Sequence, residues 1–338
     1  MDIHQFFKLA VDKRASDLHL VAGYPPTLRI HGELVPIADA GVLENKELTA
    51  AIFQTLSEEQ RTRFTADWEL DYAYQHNENR FRVNLHYQLG AIGLAARLIP
   101  GKIPTPEAIH LEPSLYDLTH LTQGFVLVTG PTGCGKSTTL ATMINIINQE
   151  RPCRIVTLED PIEFIYPKLK GVVAQREVGR DTRTFNAALR HILRQDPDVI
   201  LIGEMRDTET IAAALTAAET GHLVFSTLHT NSAAETVERI IDSFDTERQR
   251  QILIQFAAAL RGVVTQQLVP TADGHVTVAR EIMLNTPAVA NLIRQNKIAQ
   301  IQSVIQTSKS EGMVTMNNSL RALFQQGIIS EDVYNHRI

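Results

Sequence analysis

The stretch Gly130-Pro131-Thr132-Gly133-Cys134-Gly135-Lys136-Ser137 decides the fold of this 338-residue chain. It fits the pattern G-x-x-x-x-G-K-[ST] of a phosphate-binding P-loop. The apolar run 125–128 before it predicts a buried strand, and residues 138–144 after it predict a helix. The glycines let backbone amides turn towards phosphate oxygens, and the helix N-terminus adds a partial positive charge. The stretch therefore predicts a nucleotide-binding α/β domain.

Two side chains of this loop have predicted chemical roles. Lys136 can reach the β- and γ-phosphates of a nucleotide, and the hydroxyl of Ser137 can bind Mg²⁺. The rest of the loop contributes mainly backbone groups. The predicted nucleotide-binding set is Gly130, Pro131, Thr132, Gly133, Cys134, Gly135, Lys136, Ser137 and Thr138.

Composition and charge argue against several classes of protein. The net charge is −6, so the chain lacks the basic balance of a nucleic-acid-binding protein. No apolar run is long enough to span a membrane, and residues 1–4 lack the basic start of a signal peptide. Cys134 and Cys153 form no disulfide framework. We expect a cytoplasmic protein with no nucleic-acid partner.

The sequence predicts two domains. Residues 1–99 mix helical and strand patterns and predict a small α+β domain. Four prolines between positions 100 and 113 predict a linker over 100–118. Residues 119–338 alternate strands with helices, which predicts a parallel sheet with both faces covered. The candidate strands of this second domain are 124–129, 154–159, 199–203 and 223–227.

The run from Arg80 to Tyr87 in the first domain alternates strictly between apolar and polar residues. This period predicts a strand with Phe81, Val83, Leu85 and Tyr87 facing a core. Arg80, Arg82, Asn84 and His86 then face outward. Together with Arg97, these arginines form either an ordinary solvated sheet face or a clamp for phosphates, in the manner of an arginine finger.

Acidic residues follow two of the predicted strands. The apolar run 199–203 ends at Glu204, where P-loop proteins place the carboxylate that holds Mg²⁺. Glu159, Asp160 and Glu163 follow another strand, at the sheet edge where ligands bind in open α/β folds. One of these three can orient an attacking water. We favour Glu163, with Glu159 and Asp160 as alternatives.

Two histidines flank the predicted strand 223–227. His229, at its end, is a candidate sensor of the γ-phosphate, and His222, at its start, is a candidate for coupling the strand to a neighbouring element. Both are equally consistent with structural roles. No third ligand lies nearby in the sequence, so we do not predict a metal site there.

These segments together resemble the PilT family of type IV pilus retraction ATPases, within the secretion-type AAA-like motors. The resemblance rests on the Walker A loop 130–137, an Asp box at 157–164, an atypical Walker B strand at 198–204 and a His box at 220–229. The sequence Ala15-Ser16-Asp17-Leu18-His19-Leu20 also matches the family's opening. Nearly the whole chain, from about residue 3 to 325, takes part.

The resemblance implies a PAS-like N-terminal α+β domain, a RecA-like P-loop ATPase domain and a homohexameric ring that hydrolyses ATP with Mg²⁺. It implies Glu163 as general base, Glu204 as Walker B acid and metal ligand, and His222 and His229 as catalytic histidines. It matches Arg82 and Arg97 to arginines that approach the nucleotide. It further implies a platform protein of the pilus machinery as partner, and a peripheral position at the inner membrane.

One segment bears on the choice between retraction and related functions. Residues 288–294 resemble a segment of the retraction family, but Ala290 stands where an arginine is usual. Thr286 and Pro287 predict a helix start, with Val289, Leu292 and Ile293 facing inward and Ala290, Asn291 and Arg294 facing outward. Two alternatives stay open: an accessory paralogue that acts with a second retraction ATPase, and a nucleotide-binding ring scaffold with little turnover.

Overall fold

The structure is a computed structural model that describes residues 1–30, 32–77, 79–99 and 101–337. The chain divides into two compact units. Unit 1 comprises Met1–Lys102 and Pro161–Ile165, and unit 2 comprises Ile103–Asp160 and Tyr166–Ile338. Pro100 and Ile338, at the outer ends of the predicted linker and second domain, lie outside the described residues.

Unit 1 is built from a sheet and short helices, as the sequence predicts. Its helices are α1 (Ile3–Asp12), α2 (Asn45–Thr55) and α3 (Glu58–Asp67), with a 3-10 turn at Ala38–Ala40. Its strands are β1 (Asp17–Val21), β2 (Thr27–Ile30), β3 (Glu33–Pro36), β4 (Glu69–His76), β5 (Asn79–Gln88) and β6 (Ala91–Ile99). Among the described residues they form one antiparallel sheet in the order β3-β2-β1-β6-β5-β4.

The alternation along β5 places its side chains as predicted, except at the end of the strand. Phe81, Val83 and Leu85 are fully buried in the core of unit 1. Tyr87 was expected beside them, but 42% of it is exposed. Its ring stacks on Phe64 with centroids 5.0 Å apart. The core ends at this point, so Tyr87 covers its margin.

Unit 2 alternates strands and helices. Its helices are α4 (Pro113–Thr119), α5 (Lys136–Glu150), α6 (Phe185–Ile192), α7 (Thr208–Glu219), α8 (Ala233–Asp242), α9 (Thr246–Ala259), α10 (Pro287–Arg294), α11 (Ile301–Thr307), α12 (Met316–Gln325) and α13 (Glu331–Asn335), with 3-10 turns at Ile298–Gln300 and Lys309–Glu311. Its strands are β7 (Gly124–Thr129), β8 (Arg154–Glu159), β9 (Val172–Glu177), β10 (Val199–Ile202), β11 (Leu223–Leu228), β12 (Leu260–Pro270) and β13 (Val276–Leu284).

The sheet of unit 2 has the order β13-β12-β7-β11-β10-β8-β9. In this order, the six neighbouring strands that begin with β12 and end with β9 run parallel to one another. Strand β13 lies at the edge and pairs with β12 in the antiparallel direction. Every residue of β7, β10 and β11 is buried, as expected for strands with helices on both faces. The predicted fold class, an α+β domain followed by an α/β P-loop domain, is confirmed. Strands β9, β12 and β13 are not among the strands predicted from the sequence.

The predicted linker 100–118 is largely part of unit 2. Arg280 on β13 is 1% exposed and donates to the carbonyl oxygens of His110 and Ile109, each at 3.1 Å. It also pairs with the Glu112 carboxylate at 3.0 Å. A buried guanidinium needs such partners, and here the chain before α4 supplies them. The proline-rich segment is therefore fixed by a residue that lies far along the sequence.

Helix α10 begins as predicted, but it buries Ala290 and leaves Leu292 only half-buried. The Thr286 hydroxyl caps it and Pro287 opens it. Val289 and Ile293 are fully buried, but Ala290 is also buried, at 9% exposure, within the core of unit 2. The expectation that Ala290 faces outward is wrong. Helix α10 packs against α9 and α11, and Ala290 belongs to the hydrophobic core of unit 2, which the spacing of apolar residues along one helix does not show.

Among the described residues no helix is long and apolar enough to cross a membrane.

We predict that Ala290→Arg destabilises unit 2, whereas Asn291→Arg does not. Ala290 is buried, so a larger charged side chain must overpack the core or displace α10, at a cost of about 1–3 kcal/mol. Asn291 is exposed on the same helix, where a substitution changes stability by about 0.5 kcal/mol or less. Thermal melting of the two variants measures the difference. Equal melting temperatures would show that position 290 tolerates a surface residue.

Candidate functional site

The P-loop between β7 and α5 has a backbone that only glycines adopt readily. Gly130, Gly133 and Gly135 have φ angles of 136°, 79° and 88°. A Cβ atom at Gly130 would lie 2.3 Å from the carbonyl oxygen of Gln266, so no larger residue fits. Gly135 immediately precedes α5, which places the amides of the loop at the helix N-terminus. This geometry suits an anion such as a phosphate.

The side chain of Gln266 on β12 holds the P-loop by hydrogen bonds. This residue is not among those predicted from the sequence. Its side chain is fully buried, donates to the Cys134 carbonyl at 2.8 Å and accepts from the Thr139 hydroxyl at 3.0 Å. It therefore ties the loop to the first turns of α5. The signal in the sequence is a pair of glutamines, Gln266 and Gln267, in a mostly apolar run. It can be interpreted only when β12 is known to pair with β7.

Cys134, inside the loop, is buried at 3% exposure. Burial raises the pKa of its thiol, although the nearby charge of Lys136 opposes this effect. The thiol therefore stays protonated near neutral pH and acts as a small packing group. A neutral, buried thiol agrees with a P-loop in which backbone amides bind phosphate and the Cys134 side chain does not.

Lys136 lies in the centre of the site and is 9% exposed. Its ammonium donates to the carbonyl oxygens of Gly130 and Pro131, at 2.8 and 3.0 Å. It also lies 3.3 Å from Nδ1 of His229. An ammonium can only donate, so Nδ1 is the accepting nitrogen of this imidazole. The ring is therefore the tautomer with its hydrogen on Nε2.

The second nitrogen of His229 contacts the predicted Walker B acid. Nε2 lies 3.1 Å from Oε1 of Glu204, so the ring donates to the carboxylate. Lys136, His229 and Glu204 thus form one continuous line of hydrogen bonds. They come from the start of α5, the residue after β11 and the chain after β10. The carboxyl ends of parallel strands share one sheet edge, which is why distant residues meet here.

Arg206 completes this line, and the sequence analysis did not identify it. Its Nε and Nη2 atoms lie 3.0 and 2.9 Å from Oε2 of Glu204. A carboxylate has about four acceptor positions. Arg206 takes two on Oε2 and His229 takes one on Oε1. The remaining capacity is therefore on Oε1, the side of the carboxylate nearest His229. The signal in the sequence was an arginine two residues after the acid.

Two of the three candidate bases, Glu159 and Glu163, belong to different units. Glu159 ends β8, and its Oε1 accepts from the Thr157 hydroxyl at 2.7 Å and from Gln175 at 3.4 Å. The backbone of Gly203, just before Glu204, donates to Leu158, so Glu159 lies at the same sheet edge as Glu204. Glu163 belongs to Pro161–Ile165, which is part of unit 1. The choice of base stays a hypothesis.

His222 does not join the line of contacts. It precedes β11, whereas His229 follows it, and six strand residues at about 3.3 Å each separate the two histidines by about 20 Å. Nδ1 of His222 donates to the carbonyl of Ala217 at 2.9 Å. The two histidines therefore lie at opposite ends of β11, as the sequence predicts. The roles of His222 in coupling and of both histidines in catalysis stay predictions.

Arg82 and Arg97 lie in unit 1 on neighbouring strands, where both are exposed. They face each other directly in the pairing of β5 with β6. Nε of Arg97 donates to the Asp17 carboxylate at 2.9 Å. Their predicted contact with nucleotide stays a prediction.

A chain of buried threonine hydroxyls lies behind the P-loop and His229. Thr230, next to His229, has its hydroxyl 2.7 Å from that of Thr236 on α8. The Thr236 hydroxyl also lies 3.4 Å from that of Thr129, which directly precedes Gly130. Because Thr236 donates its hydrogen to the Ser232 carbonyl at 2.7 Å, Thr230 is the donor to Thr236. The chain therefore connects the P-loop to the His229 backbone through packed polar groups.

Comparison with known proteins identifies the family of this chain. The sequence profile of the family "Type II/IV secretion system protein" matches residues 111–331. The type IV pilus retraction ATPase PilT of Pseudomonas aeruginosa is 45% identical over 333 residues, which is 98% of this chain and 96% of the relative. The type IV pilus ATPase PilU of the same organism is 39% identical over 339 residues, which is 99% of this chain and 88% of that one.

A solved structure shows the same fold. The crystal structure of the pilus retraction motor PilT with bound ADP has a TM-score of 0.91 and 42% identity, covering 99% of this chain and 96% of that one. The fold and site thus define a P-loop ATPase of the secretion-system class. Within that class, the chain belongs to the PilT family of type IV pilus retraction ATPases.

We predict that Thr236→Val lowers kcat for ATP hydrolysis on the order of tenfold with little change in ATP affinity. Valine has nearly the same shape, but it cannot accept from Thr230, so the backbone that carries His229 loses a fixed contact. The control is Thr119→Val, because Thr119 is equally buried and donates to the Tyr116 carbonyl at 2.6 Å, away from this site. Steady-state phosphate release measures both. Equal losses in the two variants would assign Thr236 to general stability alone.

Proposed function

We propose that this chain is a hexameric motor that hydrolyses ATP to ADP and phosphate and thereby drives type IV pilus retraction and twitching motility. The observation that carries the proposal is the contact of His229 with both Lys136 and Glu204 beside the P-loop. The relative with 45% identity is named a retraction ATPase, and another relative, from Neisseria gonorrhoeae, is named a twitching motility protein.

In this proposal the loop Gly130–Thr138 binds the phosphates of ATP. Its backbone amides surround the phosphate oxygens, and Lys136 supplies a positive charge from a nearly buried position. A charge in such a place acts more strongly than one in water because the surrounding dielectric is lower. The largest stabilisation falls on the negative charge of the transferring phosphoryl group.

The residues of the site also fit Mg²⁺. Ser137 is exposed in the first turn of α5, and Oε1 of Glu204 keeps acceptor capacity. Within the described part of the chain, no three His, Cys, Asp or Glu side chains could hold a metal by themselves, so the nucleotide's phosphates would complete its coordination. Ser137 and Glu204 would hold Mg²⁺, which when bound neutralises charge on the phosphate oxygens.

Glu163 is the proposed general base that orients the attacking water. Glu159 and Asp160 are the alternatives, and Glu159 accepts hydrogen bonds from the Thr157 hydroxyl and the Gln175 amide. His229 is proposed to respond to the γ-phosphate, because the ammonium it accepts from is the one that contacts phosphate in P-loop proteins. Comparing kcat for Glu163→Gln, Glu159→Gln and Asp160→Asn identifies the base.

The proposed assembly is a homohexamer in which Arg82 and Arg97 approach a nucleotide. An arginine that reaches phosphate in a closed cleft supplies a strong bidentate contact, whereas on a wet surface it contributes little. The proposed partner is an inner-membrane platform protein of the pilus machinery. This places the ring in the cytoplasm, peripherally at the inner membrane, with no role for nucleic acid.

Two other functions are distinguished from this one by simple measurements. An accessory paralogue that needs a second retraction ATPase is favoured by Ala290, which stands where the retraction family usually has an arginine. Expression in a strain that lacks retraction ATPases tests it, because a self-sufficient motor restores twitching alone. A ring scaffold with little turnover would bind ATP without releasing phosphate at a useful rate.

We predict that Lys136→Ala reduces phosphate release at least about 100-fold, because it removes the charge that stabilises the transferring phosphoryl group. Lys309→Ala is the control, since Lys309 is an exposed lysine on a 3-10 turn outside the P-loop motif. Phosphate release is measured with Mg²⁺ and saturating ATP. If Lys136→Ala turns over ATP as fast as the unmodified chain, the assignment of the P-loop is contradicted. If neither the unmodified chain nor Lys136→Ala releases phosphate, the ring scaffold is favoured.

A further inference from the structure

One face of the unit 1 sheet carries a row of charged residues, one on each of four neighbouring strands. Strand pairing places Arg82 opposite Arg97, Arg97 opposite Asp17, and Asp17 opposite Arg29. The row crosses β5, β6, β1 and β2 in that order. It contains three guanidinium groups and one carboxylate, so it carries an excess of positive charge.

The pairing of Arg82 with Arg97 is unfavourable by itself. Like charges directly opposite each other on adjacent strands destabilise a sheet. On its other side Arg82 faces Ala73, which offers no opposite charge. Local violations of this kind are expected where the side chains serve a function. The Arg82–Arg97 pair, at one end of the row, therefore has the features of a site that receives an anion.

Asp17 is placed to control one of these arginines. Its Oδ1 accepts from Nε of Arg97 at 2.9 Å, and its side chain is 13% exposed against 65% for Arg97. The carboxylate is thus a nearly buried anchor, and the guanidinium extends from it towards solvent. Arg29 does not compete for this oxygen, because its Nη1 donates to the Gly32 carbonyl at 2.7 Å and its Nε is 4.0 Å from Oδ2 of Asp17.

The atom that Asp17 holds determines what Arg97 can do. A guanidinium has five N–H donors, one on Nε and four on the two terminal nitrogens. With Nε bound to Asp17, both terminal nitrogens remain for a ligand. Within the described residues the Arg97 side chain makes no other hydrogen bond. Two adjacent terminal nitrogens match the spacing of two phosphate oxygens.

We propose that Asp17 is a positioning residue that fixes the Arg97 guanidinium with its terminal nitrogens presented to a nucleotide phosphate. This inference rests on the proposed function, because it takes ATP as the anion that Arg97 meets. It also gives a role to the stretch Ala15-Ser16-Asp17-Leu18-His19-Leu20, in which Leu18 and Leu20 are fully buried while Asp17 points to the opposite face. An exposed ion pair contributes little to stability, so a purely structural role would have a small effect.

The test is a double-mutant cycle in the full-length chain with Asp17→Asn, Arg97→Gln and both together. Asparagine keeps an acceptor oxygen but loses the charge that holds Nε. We expect Asp17→Asn to lower kcat on the order of tenfold, with a smaller change in KM. In the Arg97→Gln background the same change should have no further effect, because its target is gone. Arg29→Gln is the control: it lies in the same row and on the same carboxylate but leaves Arg97 in place, so its kcat should be unchanged.

Three results would overturn the proposal: full activity of Asp17→Asn, an equal loss in the Arg97→Gln background, or an equal loss in Arg29→Gln. Thermal melting is recorded for each variant, and a kcat loss that follows a fall in melting temperature also counts against it. If the unmodified chain shows no turnover, the proposed function fails separately. In that case the equilibrium affinity for ATP is measured for the same variants. If Asp17→Asn changes this affinity equally with and without Arg97→Gln, the positioning role is rejected.

Discussion

The line of hydrogen bonds from Lys136 through His229 to Glu204 is the interaction on which the nucleotide site depends. Each contact fixes the next, because an ammonium only donates and the imidazole must then accept at Nδ1 and donate at Nε2. Arg206 holds the other oxygen of Glu204. The line exists because the parallel strands β7, β11 and β10 end at one edge of the sheet. A change in any member therefore alters how the others can meet phosphate.

Unit 1 uses a different constraint, the register of an antiparallel sheet. Register places Arg82 and Arg97 side by side, at a cost in repulsion, and sets Asp17 beside Arg97. In the proposed function, unit 2 provides amides and an ammonium for phosphates, and unit 1 provides guanidinium groups with one carboxylate to hold them. In the proposed hexamer, hydrolysis requires both sets, which gives a physical reason for coupling turnover to movement.

The sequence predicts those parts of the site that depend on local order along the chain. The P-loop, Glu204 and His229 follow from motifs and from strands with strong apolar runs. Gln266 could not be predicted, because its role depends on β12 lying beside β7 and β12 carries no motif. The prediction for Ala290 is wrong because helical spacing shows one apolar stripe and not the tertiary packing that buries this residue in the core of unit 2. The roles of residues that depend on tertiary contacts therefore cannot be predicted from patterns in the sequence.

The most direct test of the central claim is the rate of phosphate release by His229→Ala under saturating ATP and Mg²⁺, with ATP affinity measured in parallel. Alanine removes both contacts of the imidazole while leaving the P-loop backbone and Lys136 in place. The account predicts a fall in turnover of roughly tenfold or more, with ATP affinity little changed, because the line that orders Lys136 and Glu204 is broken. Turnover equal to that of the unmodified chain would contradict it, since the site would then work without its central residue.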